Sequence, residues 1–110
     1  MQFLMTTKGA DAAPPDDAIH AEMGRFVEEM TRAGVLLATG GLDPVGTHVS
    51  AVDGAMTVTD GPFTEAKEAI VSFALVEVRS KEEAIEAARR FWKIIGTGEG
   101  HIQQVFGPES

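Results

Sequence analysis

The stretch IVSFALVEVRSKEEAIEAARRFWKIIG, residues 70–96, sets a strand and a helix end to end, and its reading decides the fold. Ile70 to Val78 is rich in β-branched and aromatic residues, with Val71, Phe73 and Leu75 on one side and Ile70, Ala74, Val76 and Val78 on the other. A strand here is apolar on both faces. Ser80-Lys81-Glu82-Glu83 then reads as a capping box, with Ser80 as the cap and Glu83 reaching back. The helix it opens carries Ala84, Ile85, Ala88, Phe91, Trp92 and Ile95 as one stripe, and Gly96 stops it.

Working outward, His101 to Phe106 is a last strand after the flexible Thr97 to Gly100 connection. On the N-terminal side, Thr47 to Val52 and Ala55 to Thr59 flank Asp53-Gly54, a dipeptide that accepts the positive φ of a two-residue type I′ turn. That turn sets a register: Val49 opposite Val58 and Ala51 opposite Met56 on an apolar face, His48 opposite Thr59 and Ser50 opposite Thr57 on a more polar one. Upstream, Gln2 to Thr7 reads as a strand and Lys8 to Pro15 as a loop. A helix follows, capped by Asp16 or Asp17, with Ile19, Met23, Phe26, Val27, Met30 and Ala33 on one face and Gly34 as its terminator. Val35 to Ala38 is an apolar strand, and Gly40 to Gly46 reads as a loop.

The order is strand, helix, strand, hairpin, strand, helix, strand. Two helices on one face of a mainly antiparallel sheet is the α+β solution, ferredoxin-like with extra hairpin strands. Two helices cover only one sheet face, yet at least two strands are apolar on both sides. A second face of that kind marks an association surface, so the sequence predicts a homodimer packed sheet against sheet, with twofold symmetry.

Length and composition bound the rest. The 110 residues are one domain, spanning 1–110, of which a chain this size buries roughly 65% of its unfolded surface. There is no Cys and no Tyr, which excludes a thiol nucleophile, a disulfide framework and a phenolic acid. Net charge is −8, with −5 over residues 1–55 and −3 over 56–110, so the prediction is no nucleic-acid partner. No apolar run approaches the roughly 18 residues of a membrane span, and no signal peptide is recognisable; a cytoplasmic protein without membrane attachment is expected. Gly-x-Ser-x-Gly, the Walker pattern and the dinucleotide fingerprint are all missing, and no short-spacing metal-ligand pair occurs, so neither cofactor nor metal is expected.

The most distinctive segment is Thr59-Asp60-Gly61-Pro62-Phe63-Thr64-Glu65-Ala66-Lys67-Glu68. Asp60, Glu65 and Glu68 surround one cation, Lys67, and Phe63 can anchor the turn. Neighbouring like charges raise a carboxyl pKa and an adjacent ammonium lowers it, which suits acid–base work; the alternative is a solvated turn with surface ion pairs. The Asp-Gly-Pro-Phe motif with Glu65 and the Lys67-Glu68 pair closely resembles the YCII-related, DGPF-domain family. The resemblance runs from Phe3-Leu4-Met5 through Ala33-Gly34-Val35-Leu36 and Gly40-Gly41-Leu42 to Gly96-Thr97-Gly98-Glu99-Gly100. It implies a dimeric α/β barrel related to muconolactone-isomerase-type enzymes, and in some members a link to extracytoplasmic-function sigma factors. Better-studied relatives carry a His and an Asp on the first helix; the matching positions here fall near Met23 and Arg32, so that dyad is not in place. Many members read Glu-Ile-Arg-Gln where this chain has His101-Ile102-Gln103-Gln104.

Among the proton carriers that remain, His20 lies one turn before Met23 on the edge of the first helix stripe, where it either looks into a cleft or reaches water. His48 on the hairpin and His101 on the last strand are candidate pocket residues, with an ordinary strand contact as the alternative for each. The sequence thus predicts a cofactor-free acid–base enzyme, isomerase or lyase in type, acting on a small cyclic or aromatic acid. His20 or Asp60 serves as base and Lys67 steadies developing negative charge, with Phe63, Glu65, Glu68, His48 and His101 around the pocket. The rival reading is a non-catalytic ligand-binding or regulatory module acting through a protein partner such as a sigma factor.

Overall fold

The computed structural model describes residues 1–9, 16–61 and 68–108. In chain order the elements are β1 (Gln2–Lys8), α1 (Asp17–Arg32), β2 (Leu36–Gly41), β3 (Thr47–Val52), β4 (Ala55–Asp60), β5 (Ile70–Glu77), α2 (Lys81–Ile95) and β6 (Gly100–Val105). Four strands form one sheet in the order β2-β5-β1-β6, and β3 pairs with β4 in a separate two-stranded sheet. All the pairings are antiparallel. With the hairpin set aside, this is the ferredoxin-like β-α-β-β-α-β arrangement, α+β as the sequence predicts. The four-stranded sheet is open and forms no closed barrel by itself.

Local chemistry explains the boundaries. Asp16 caps α1, its Oδ1 accepting from the Ile19 N–H at 2.9 Å. At the far end Gly34 takes φ 76°, with Val35 N–H donating to the Met30 carbonyl and Gly34 N–H to that of Thr31. These are the two bonds of a Schellman cap. Ser80 caps α2 by accepting from the Glu83 N–H at 3.2 Å, but the Glu83 carboxylate pairs with Arg79 at 3.2 Å instead of turning back on the cap. The hairpin register is the expected one, with Asp53 at φ 50° and Gly54 at φ 82° in the turn. β2 extends through Gly40 and Gly41, which the sequence reading had placed in a loop. Gly40 sits opposite Phe73, whose ring occupies the space a side chain would take: a Cβ there would lie 3.2 Å from the ring.

Register also sorts the sheet's faces. Phe3 is buried with Val76, Val78 and Ala84 in the core cluster, and Ala84 belongs to α2, so Phe3 marks the helix-covered face. Alternation puts Met5 and Thr7 of β1, Ala74 and Ser72 of β5 and Ile102 of β6 on that same face. Leu4, Thr6, Phe73, Leu75 and His101 face the other way, where no described element covers them.

Candidate functional site

The core and the cleft divide the helix-covered face between them. Near Phe3 and Val78, α2 seats closely through the small, fully buried Ala84, while Ala87 and Ala88, also buried, border the cleft. Toward Thr7 the layers part and leave a cleft of about 780 Å³, within the range of sites that hold small molecules. Met5, Ala74 and Ile102 contribute to its floor, Met23, Phe26, Val27 and Met30 of α1 line one wall, and Phe91 and Trp92 of α2 line the other. Phe91 and Trp92 meet edge to face at 5.2 Å, which holds both rings in place.

The polar groups of this cleft are few. Thr7 and Ser72 are register partners on the floor, and their hydroxyls hydrogen-bond each other. The Thr39 hydroxyl donates to the Phe73 carbonyl at 2.9 Å. Arg89 and Lys93 bring two cations to the α2 wall, Arg89 also holding Glu86 at 3.2 Å. Among the described residues no carboxylate lines the cleft. The walls therefore suit an apolar ring that carries an acidic group, with hydroxyls below it and cations at the side.

Beside the cleft, Arg90 ties the helices together. It pairs with Glu29 of α1 while its guanidinium lies 5.0 Å from the centre of the Phe26 ring. The Arg90 hydrogen bond, reinforced by its charge, lowers the Glu29 pKa below the ordinary glutamate value. At the rim, Lys8 Nζ holds Glu68 Oε2 at 3.0 Å, and this hydrogen bond, with the same carboxylate's charge, raises the Lys8 pKa. Among the described residues no group of three or more His, Asp or Glu is arranged to hold a metal ion.

The residues singled out from sequence fall in different places. His101 borders the cleft, at the mouth where β6 begins, while its register partner is Thr6 on the uncovered face. His20 is exposed in the first turns of α1 and is not among the lining residues, whereas Met23, one turn on, is. Asp60 ends β4, where the Thr47 hydroxyl donates to its Oδ1 at 2.8 Å, and His48 lies on the exposed hairpin; neither lines the cleft. Glu68 is engaged by Lys8. Phe63, Glu65 and Lys67 lie outside the described residues. Sequence reasoning missed Thr7, Ser72, Arg89 and Lys93. Their approach to the cleft follows from strand register and helix packing, which no single stretch of the sequence displays.

Three comparisons with known proteins bear on this geometry. A family model, the YCII-related domain, matches residues 1–95. Curated proteins give no match. Among solved structures, the chain is similar to 5-chloro-2-hydroxyhydroquinone dehydrochlorinase (TftG) from Burkholderia phenoliruptrix AC1100, in complex with 2,5-dihydroxybenzoquinone. The TM-score is 0.53 at 14% identity, covering 99% of this chain and 97% of that one, a likeness of fold.

Proposed function

The chain belongs to the YCII-related domain family, and from that premise we propose a cofactor-free acid–base enzyme, isomerase or lyase in type, that holds a small cyclic or aromatic acid in the cleft. The observation that carries this reading is the lining: rings and methionines for an apolar ring, with Arg89 and Lys93 for its carboxylate. The similar dehydrochlorinase, crystallised with a dihydroxybenzoquinone, is in keeping with an aromatic substrate. Proton transfer needs an imidazole or a carboxylate in reach, and His101 at the mouth is the imidazole among the described lining residues. His20 or Asp60 is the proposed alternative base and Lys67 the proposed cation that steadies developing negative charge, although neither His20 nor Asp60 lines the cleft within one chain. We place this activity in a cytoplasmic homodimer that acts without nucleic acid; no described helix is long and apolar enough to cross a membrane.

One observation favours the rival reading. With no carboxylate among the described lining residues, the cleft can bind a ligand without transforming it, as a regulatory module would. Incubation with a panel of small aromatic and lactone acids in D₂O separates the two. Trp92, the chain's one tryptophan, lines the cleft and reports occupancy by its fluorescence. The enzyme reading expects deuterium incorporation or turnover that falls at least about tenfold, ~1.4 kcal/mol of barrier, in one or more of His20→Ala, Asp60→Ala, Lys67→Ala and His101→Ala. Binding without exchange supports the module. Exchange untouched by all four substitutions contradicts the assigned proton carriers.

A further inference from the structure

Among the described residues the β3–β4 hairpin stands apart from the four-stranded sheet. Every residue of both strands is exposed, and neither strand joins the four-stranded sheet. Its register gathers Val49, Ala51, Met56 and Val58 on one face, with Val49, Val58 and Met56 at 53%, 55% and 64% exposure. An isolated two-stranded hairpin is marginal in water, so this face needs cover.

Three observations favour a second copy as the cover. The chain exposes 7936 Å², whereas a folded monomer of 11.7 kDa exposes about 5,900 Å². The excess, about 2,000 Å², is what one subunit of an obligate homodimer buries. The radius of gyration, 16.0 Å, likewise exceeds the roughly 13 Å of a self-contained domain this long. Charge gives the third: copies carrying −8 repel, yet Thr47 to Thr59 contains one charged side chain, Asp53, and that sits in the turn. Contact between like-charged chains is least costly through such a stretch.

We propose that the hairpin is a dimerisation arm, packing its Val49–Ala51–Met56–Val58 face on a second copy of this chain and leaving His48, Ser50, Thr57 and Thr59 outward. Six-residue strands reach about 20 Å, twice the roughly 10 Å between face-packed sheets, so the arm spans to its partner. The inference rests on the homodimer proposed above and adds which element holds it.

The test is sedimentation over a dilution series of the full chain and of a Val49→Thr/Val58→Thr variant. Threonine keeps the β-branched backbone preference and removes apolar surface from both arms. The expected result is a dimeric parent and a folded variant, matched by circular dichroism, whose dimer dissociates at least about tenfold more readily. A spin label on Met56→Cys, the only thiol in an otherwise cysteine-free chain, should be immobilised in the dimer and mobile on dilution. A parent dimer with unchanged variant affinity, or a label mobile in the dimer, overturns the arm while leaving the homodimer standing. A parent monomeric at every concentration overturns both.

Discussion

A Cβ at Gly100 would overlap the Thr6 carbonyl on the neighbouring strand, so β1 and β6 approach as closely as they do because this position has no side chain. Gly100→Ala should force the strands apart and cost about 2 kcal/mol or more in urea unfolding; an unchanged midpoint would mean the close approach is not needed. The Thr7–Ser72 hydroxyl pair on the cleft floor makes a different case. Removing one partner leaves the other unsatisfied, so Thr7→Val or Ser72→Ala alone should cost about 1 kcal/mol, while the double variant should cost less than the sum. Ligand affinity should fall in each. These residues were hard to read from sequence because a hydroxyl on a strand acquires meaning only through its register partner 65 positions away. His101 is the second residue of β6, the strand that edges the cleft.

At the scale of elements, caps and turns were legible and the ends of strands were not. Asp53-Gly54 dictates its turn by backbone preference, and the hairpin register follows from it residue by residue. Gly40 and Gly41 look like loop residues by composition, and only the Phe73 ring across the strand gives them a place in the sheet. The link between the helices was equally hidden, since Glu29 and Arg90 lie 61 residues apart. Its pH dependence has a definite sign. Arg90 lowers the folded-state pKa of Glu29, so the pair's contribution is present above the ordinary glutamate range and is lost as pH falls through the lowered value. The stability difference between the parent and Glu29→Gln should therefore be small and constant near neutrality and vanish in acid. A difference that grows on acidification would contradict that assignment. Lys8 has the opposite sign: Glu68 raises its pKa, and its contribution fades only as pH rises through that raised value.

For the whole molecule, element order specifies the ferredoxin-like sheet because two helices must bury their stripes on one face, and the observed strand order agrees. The apolar second face of the strands predicts association in the sequence, and in the fold no described element covers that face. The cleft was not legible, because its lining comes from four strands and two helices that only the fold brings together. Its existence is what makes chemistry on a small ring acid the central claim. Crystals soaked in a mixture of small aromatic and lactone acids test that claim most directly. A ring bound between Phe26, Trp92 and the Ala74 floor, its carboxylate toward Arg89 or Lys93, is the expected result. An empty cleft, or acids bound only elsewhere on the surface, would contradict it.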